Sequence, residues 1–306
     1  MQNVNISIIL LNYNTLFYTE QCIQSIIQNT NIDYEIIVVE NGSNDKENIK
    51  IIENKYKCVK VIISEKNLGF GAGNNLGVEN ANGKYVVILN NDTIVFPATI
   101  DRIFEILEKC DFKDIITGFI EDGNGKLQYS GGEELKILRE LLRFGFLLIK
   151  YVPFKYYENH YFIPKKDEKT RIIDWATGCF FALTKDFYKE LNGFDENMFM
   201  YVEDVEFHKR IRLNGGKILF RPEIRIRHFG SQTSKDHIDT VLKSQYKNTL
   251  YYFKKHKGII LAAVFYLISK TIFFIWYLFF SLLDLFFTFK LKISKKKRLY
   301  KLLLFK

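Results

Sequence analysis

The sequence predicts an α/β fold: a parallel sheet covered by helices on both faces, followed by a helical segment that is both hydrophobic and basic. Three observations carry this. Short continuous apolar runs alternate with helically spaced segments through the first hundred residues, the pattern of strands buried on both faces by crossover helices. The segments that leave these runs, LNYNT, ENGSND, EKNLGFGAG and NNDT, are all polar loops rich in Asn, Gly and Asp. The composition then breaks near residue 254, after which twelve Lys or Arg accompany one acid, Asp284, against 32 basic and 34 acidic residues before it.

Each element has its own justification. Residues 6–11 form a β-rich apolar run with no basic leader before it, so they read as a first buried strand rather than a signal peptide. Residues 15–29 place Leu16, Cys22, Ile23, Ile26 and Ile27 at helical spacing. Strands are expected at 34–40, 59–63 and 85–89, with helices at 44–56, 72–81 and 98–110 between and after them. Residues 115–129 read as strands around an EDGNGK turn, and 133–150 as a helix leading into an irregular segment. Residues 217–220 and 224–228 read as two short strands on either side of Arg221 and Pro222. In such folds ligands sit outside the carboxyl ends of the strands.

A chain of 306 residues has room for one large domain and a smaller one, expected here as residues 1–235 and 236–306. The four cysteines are far apart with no CxxC pair, which argues against a zinc site or disulfide framework and fits a reducing compartment. A near-neutral body with its positive charge in the tail argues against nucleic-acid binding. From Gly258 to Phe289 the only charges are Lys270 and Asp284. Placing Lys270 mid-span would be costly, so the expectation is two helices lying in or dipping into the membrane interface, held on anionic lipid by the basic cluster. A buried helical hairpin is the alternative.

Four groups are candidates for chemistry. Asp92 ends the fourth strand two residues after Asn90. It is either a turn residue or a lone carboxylate for a Mg2+ or Mn2+ shared with a diphosphate. NLGFGAGNNLG lets backbone approach a ligand near a helix N-terminus, but it follows the third strand and not the first, which excludes a dinucleotide fingerprint. Glu203 and Asp204 open a predicted helix, either complementing its dipole or serving as a base that the dipole keeps ionised. His228 ends an inward-facing row with Ile224 and Ile226, as a packed histidine or as a ligand.

The order of these segments resembles family 2 glycosyltransferases of the GT-A fold, particularly the rhamnosyltransferase-like branch that builds bacterial surface polysaccharides. The resemblance rests on SIILLNYNT, VVENGSND, NLGFGAGNN, LNNDTIVFP, ATGCFFALTKDFYKELNGFDE, YVEDVEFHKRIRLNGG and HFGSQTS, and continues more loosely into KNTLYYFKKH. It implies a Rossmann-like mixed sheet, and inverting transfer of one sugar from a nucleotide-diphosphate sugar to a lipid-linked or polysaccharide acceptor. It also implies a divalent metal and a position at the cytoplasmic face of the membrane. By the same resemblance Asp92 with Asn90 is the DXD-type metal element, and His228 a further metal or diphosphate contact. Asp204 is the base, with Glu203 shaping the acceptor site. Glu40, Ser43 and Asp45 hold the nucleobase and ribose. Asn67, Gly69, Gly71 and Asn74 line the nucleotide, and the loop Ala176, Thr177, Gly178 and Cys179 lies beneath the donor sugar. The chain departs from the family in having Glu40 for the usual Asp and Asn90 for the first acid of the motif. It also lacks the QxxRW motif of processive synthases, which implies single-sugar addition. The rival readings are a sugar nucleotidyltransferase, which would be expected to carry a basic glycine-rich loop near the first strand, and a non-catalytic membrane-bound carbohydrate-binding protein.

Overall fold

The structure, a computed structural model, describes residues 4–146, 161–230, 238–286 and 290–305. Its first half alternates as the periodicity predicts. β1 (Ile6–Asn12) leads to α1 (Leu16–Asn29), and β2 (Tyr34–Asn41) leads through a 3-10 turn (Lys46–Ile49) into α2 (Lys50–Lys55). β3 (Val59–Ser64), α3 (Phe70–Glu79) and β4 (Tyr85–Asn90) follow. These strands pair in parallel in the order β3-β2-β1-β4. Ile8, Ile9, Val38, Val39, Val87 and Ile88 are fully buried, because a parallel sheet carries helices on both faces.

The second half turns the sheet mixed. After β5 (Thr93–Val95) and α4 (Thr99–Leu107) come β6 (Ile115–Glu121), β7 (Gly131–Gly132) and α5 (Ile137–Phe146). Then follow β8 (Tyr161–Phe162), β9 (Arg171–Ile173), β10 (Trp175–Ala176), β11 (Phe180–Thr184), α6 (Lys185–Glu190), α7 (Glu203–Leu213) and β12 (Ile218–His228). β11 runs antiparallel beside β4 and carries the sheet on to β6, β12 and β5, while β9 flanks β12. β10, β7 and β8 form a small second sheet.

Two local readings change. The EDGNGK turn closes only a single bridge, Glu121 to Leu127, and no second full strand. The two short strands expected around Pro222 are one strand, whose pairing with β6 shifts between Phe220 and Arg225. Proline cannot donate to a ladder, so the irregularity sits there and the strand continues past it. All of Ile218, Phe220, Ile224 and Ile226 stay buried, but the shift in register turns the strand over, so Ile218 packs in the core on one side of the sheet and Ile224 and Ile226 in the core on the other.

The glycine-rich segment owes much of its composition to packing. A β-carbon on Gly73 would strike Leu11, and one on Gly77 would strike Ile9. Glycine there lets α3 lie close on β1 and β2. Gly69 has φ +85°, and a β-carbon on it would collide with the Phe199 carbonyl, the oxygen that accepts the Phe70 N–H at 2.8 Å. Gly69→Ala is therefore expected to lower stability by about 2–3 kcal/mol, measured as a shift in the urea midpoint with an unchanged slope.

The chain divides into two compact units. The α/β unit holds the sheets and helices α1–α4, α6 and α7. The helical unit comprises α5, residues Met200–Val202, α8 (Ile238–Lys257), α9 (Ile259–Phe286) and α10 (Lys290–Phe305). The expected boundary at 235/236 lies outside the described residues. The apolar stretch expected as two helices is one continuous helix through Lys270, α9, and residues 259–283 of it are long and apolar enough to cross a membrane.

In the helical unit the Lys270 ammonium donates to the carbonyls of Leu303 (2.6 Å) and Leu304 (2.8 Å), a cation closing the last turn of a helix. Tyr300 stacks with Trp276 and Phe280. Arg143 on α5 pairs with Glu140 (2.7 Å) and donates to Gln245 of α8 (3.2 Å).

Candidate functional site

Three clusters form at the carboxyl ends of the central strands. The first is a polar network at the ends of β1 and β2. Asn12, almost fully buried, donates to the Glu40 carboxylate, whose other oxygen accepts the Ser43 N–H at 2.8 Å. The Asn12 carbonyl oxygen accepts from the Thr19 hydroxyl at 2.8 Å, and the Asn91 amide donates to the Thr15 and Thr19 hydroxyls at 2.7 and 2.6 Å. Glu40 and Ser43 thus shape the loop after β2, and Asn91 ties the turn that carries Asp92 back to the first helix. Asn91 had no expected role, although its place inside NNDT was its signal.

The second cluster gathers around Asp92. The register of β12 against β5 sets His228 opposite Thr93, and the Phe229 N–H donates to the Asp92 carbonyl at 3.0 Å. His228 Nε2 then lies 3.2 Å from Asp92 Oδ1 and 3.3 Å from the Asn90 amide nitrogen. Its Nδ1 lies 3.2 Å from Gln128 Oε1, whose own amide donates to the His228 carbonyl at 3.1 Å and so fixes which way Gln128 faces. With acceptors at both ring nitrogens, the imidazole is set up to carry two protons. Burial works against that charge, but the Cys179 thiol and the Asp92 carboxylate outweigh it and push the His228 pKa up to about 11. Gln128 gave no sequence signal, since one amide after a loop carries no pattern.

The third cluster is the start of α7. Asp204 Oδ2 accepts the Gly178 N–H at 2.9 Å and Oδ1 accepts the Val205 N–H at 2.8 Å. The next residue of the same loop, Cys179, accepts the Asn90 N–H at 2.9 Å. Two consecutive residues between β10 and β11 therefore bond to the Asp204 side on one hand and the Asn90–Asp92–His228 side on the other. Thr177 donates its N–H to the Ser130 carbonyl at 3.1 Å, and Ala176 is buried within β10.

The remaining candidates are placed differently. Asn67 Oδ1 accepts the Gly69 N–H at 2.9 Å and the Asn41 amide at 3.1 Å, which shapes the loop into α3. Asn74 turns its amide back to the Phe70 carbonyl at 2.9 Å, and Gly71 backs onto Phe194. Asp45 is exposed and accepts from Asn48. The network does not bring these last three to Asp92 or Asp204.

The helix dipole does not decide the acidity of the Glu203–Asp204 pair, contrary to the sequence-based expectation. Burial raises both carboxyls, and for Glu203 the neighbouring Asp204 charge adds to it; the Gly178 and Val205 N–H groups only partly offset the rise at Asp204. Glu203 Oε2 is buried with no hydrogen-bond partner among the described residues. An acid whose folded pKa is raised binds its proton more tightly in the native state than in the unfolded one. The pair's contribution is therefore most favourable below the ordinary carboxylate range and is lost as pH rises toward its folded pKa. Glu203→Gln is expected to flatten that decline, read from denaturant unfolding between about pH 4 and pH 8.

The segment entering α7 is strained. Tyr201 and Val202 have φ of +69° and +74°, a region that non-glycine residues rarely occupy and a β-branched valine least of all. Each such residue costs about 1–3 kcal/mol and persists where its surroundings hold it. Asn248 of α8 donates to the Met200 and Tyr201 carbonyls, both at 2.9 Å.

Asp92 and His228 fit a divalent ion as a minimal donor pair, with the ion taking the place of the proton on His228 Nε2 beside Asp92. No group of three or more His, Cys, Asp or Glu is gathered for a metal among the described residues. A pair suits an ion that fills its remaining positions with water and substrate phosphate oxygens.

Comparison with known proteins bears on the family and the fold. The sequence profile of glycosyl transferase family 2 matches residues 7–191, and that described as the N-terminal domain of galactosyltransferase matches residues 160–233. An uncharacterized glycosyltransferase of Methanocaldococcus jannaschii is 31% identical over 46% of this chain, which spans about half of that relative (51%). The N-acetylglucosaminyl-diphospho-decaprenol L-rhamnosyltransferase of Mycobacterium tuberculosis is 20% identical over 82% of this chain and 85% of its own length. The structure of GalNAc-T7 with UDP, GalNAc and Mn2+ superposes with a TM-score of 0.56 and 18% identity, over 74% of this chain and 44% of that one. The fold is accordingly of the GT-A type. With its profile matched across more than half its length and rhamnosyltransferases among its relatives, the chain belongs to glycosyl transferase family 2.

Proposed function

We propose that the chain transfers a single sugar, with inversion, from a nucleotide-diphosphate sugar to a glycan or lipid-linked acceptor. The observation that carries this is the Gly178–Cys179 loop, which bonds to the Asp204 carboxylate on one side and to Asn90, beside Asp92 and His228, on the other. A base and a diphosphate-binding edge on opposite sides of one loop match what in-line displacement at an anomeric carbon needs.

In this reading Asp204 takes the proton of the acceptor hydroxyl as that oxygen attacks. Its raised pKa suits the task, because a base works best when its pKa approaches the operating pH. Glu203, buried beside it, stays protonated further up the pH scale and borders the acceptor side. Asp92 and His228 would hold a Mg2+ or Mn2+, which supplies Lewis-acid stabilisation of the departing diphosphate. Glu40, Ser43 and the Asn12 network set the loop that meets the nucleoside. A decaprenol-linked substrate is named for the Mycobacterium tuberculosis relative, and UDP for the GalNAc-T7 structure. These support a polyprenyl-type acceptor and a nucleotide-diphosphate donor here, with rhamnose as the first sugar to try.

The test is a panel of nucleotide sugars with lipid-linked and free glycan acceptors, with and without divalent ions, following nucleoside diphosphate release and the anomeric configuration of the product. Diphosphate release coupled to an inverted glycoside supports the reading. Formation of nucleotide sugar from a nucleoside triphosphate and a sugar phosphate would replace it with nucleotidyl transfer. Binding without turnover across the panel would reduce the chain to a carbohydrate-binding protein.

A further inference from the structure

The apolar helix α9 presents an unusual surface. Ala262, Phe265, Ser269, Phe273 and Phe280 form its buried seam, a spacing of three and four residues that faces neighbouring helices. Away from the seam it exposes Ile260 (77%), Leu267 (64%), Phe274, Ile275, Leu278 and Leu282. This face is longer than the scattered apolar residues ordinary on a soluble surface.

Two occupants are consistent with the length: a bilayer that α9 crosses, or a bilayer surface on which it lies. The packing of α10 separates them. Lys270, near the middle of the apolar stretch, caps the last turn of α10 through Leu303 and Leu304. One turn earlier on α10, Tyr300 stacks on Trp276 and Phe280, further along α9. The helices are therefore antiparallel, and α10 runs beside the second half of α9. Its sequence carries Lys290, Lys292, Lys295, Lys296, Lys297, Arg298 and Lys301. If α9 crossed the bilayer, Lys270 would lie near the centre and this basic helix would be drawn through one leaflet beside it. Each basic side chain taken there is strongly unfavourable.

We infer that α9 and α10 form a monotopic foot, with the exposed face of α9 bedded in the headgroup–acyl boundary of an anionic bilayer and the basic residues of α10 held at the headgroups. Charge selects a lipid surface as the occupant: the chain after residue 253 is strongly basic beside this apolar face, and a basic amphipathic assembly binds anionic lipid through both. Lys270 is satisfied within the foot and needs no aqueous channel.

The full-length chain with a C-terminal epitope tag tests this. It is expected to sediment with phosphatidylglycerol-containing vesicles at least about tenfold better than with phosphatidylcholine alone, and to lose most of that difference in high salt. The double variant Leu267→Glu, Phe274→Glu alters exposed positions only, so it should keep its circular dichroism and melting profile and lose about tenfold in vesicle binding. In inside-out membrane vesicles from an expressing host, protease should reach the α/β unit and the tag from the same side. A tag protected while the α/β unit is digested would establish a crossing helix and overturn the inference. Absence of vesicle binding by the wild-type chain would overturn it too, leaving the face to a protein partner.

Discussion

Asp204→Asn is expected to slow sugar transfer by about 10²–10⁴, the range typical of a lost general base, with the donor KM little changed. The substitution is isosteric but not silent. Both carboxylate oxygens accept backbone N–H groups, from Gly178 and Val205, so an amide nitrogen would have to face one of these donors. That mismatch is expected to lower stability by about 1–3 kcal/mol, which calorimetry separates from the chemical effect. The wild-type rate should rise with pH through the apparent pKa of the Glu203–Asp204 pair, which burial sets above the free carboxylate range. The residual rate of the variant should lose that limb. A variant that turns over at the wild-type rate, or keeps the same pH limb, would remove Asp204 from the base role.

Asp92→Ala should abolish the dependence of donor binding on divalent ions and reduce kcat/KM by about 10²–10³, the scale on which one electrostatic contact to a developing charge is felt. The structural reason is that Asp92 and His228 face each other at 3.2 Å, and no further acidic or imidazole ligand joins them among the described residues. Removing one leaves a single donor. Gln128→Ala acts through His228 and should weaken divalent-dependent nucleotide binding by about 10–100-fold. Calorimetric titration of the nucleoside diphosphate with and without Mn2+ reads both effects. Undiminished activity of the wild-type chain in chelator would count against the metal role altogether.

The parallel half of the fold was legible because each strand there is buried on both faces and bounded by polar loops, so runs such as Ile6 to Leu11 announce themselves. The antiparallel half was not. β7, β8 and β10 are two residues each, too short for any period, and they form through long-range pairing of Gly131 and Gly132 with Ala176 and Trp175 on one side and Phe162 and Tyr161 on the other. The single strand through Pro222 was hidden because proline signals an end, whereas here it signals only a break in pairing. At the site, the acidic landmarks Asp92 and Asp204 stood out by type and place. The groups that orient them did not. Gln128, Asn91 and the Gly178 N–H act through geometry that only the fold creates. The raised pKa values of the pair likewise follow from burial, which the helix-dipole argument alone does not contain.

The left-handed residues before α7 have one further consequence. Met200–Val202 fold with the helical unit through Asn248, yet the chain passes from Val202 directly into Glu203 and Asp204. Local opening of the helical unit would remove the two hydrogen bonds that Asn248 gives to this stretch. Competence and foldedness should then be separable on warming: amide exchange at residues 200–202 is expected to quicken, and turnover to fade, before the central strands lose protection. Trimming the chain after residue 235 would take away Asn248, and with it both of the hydrogen bonds it gives to Met200 and Tyr201.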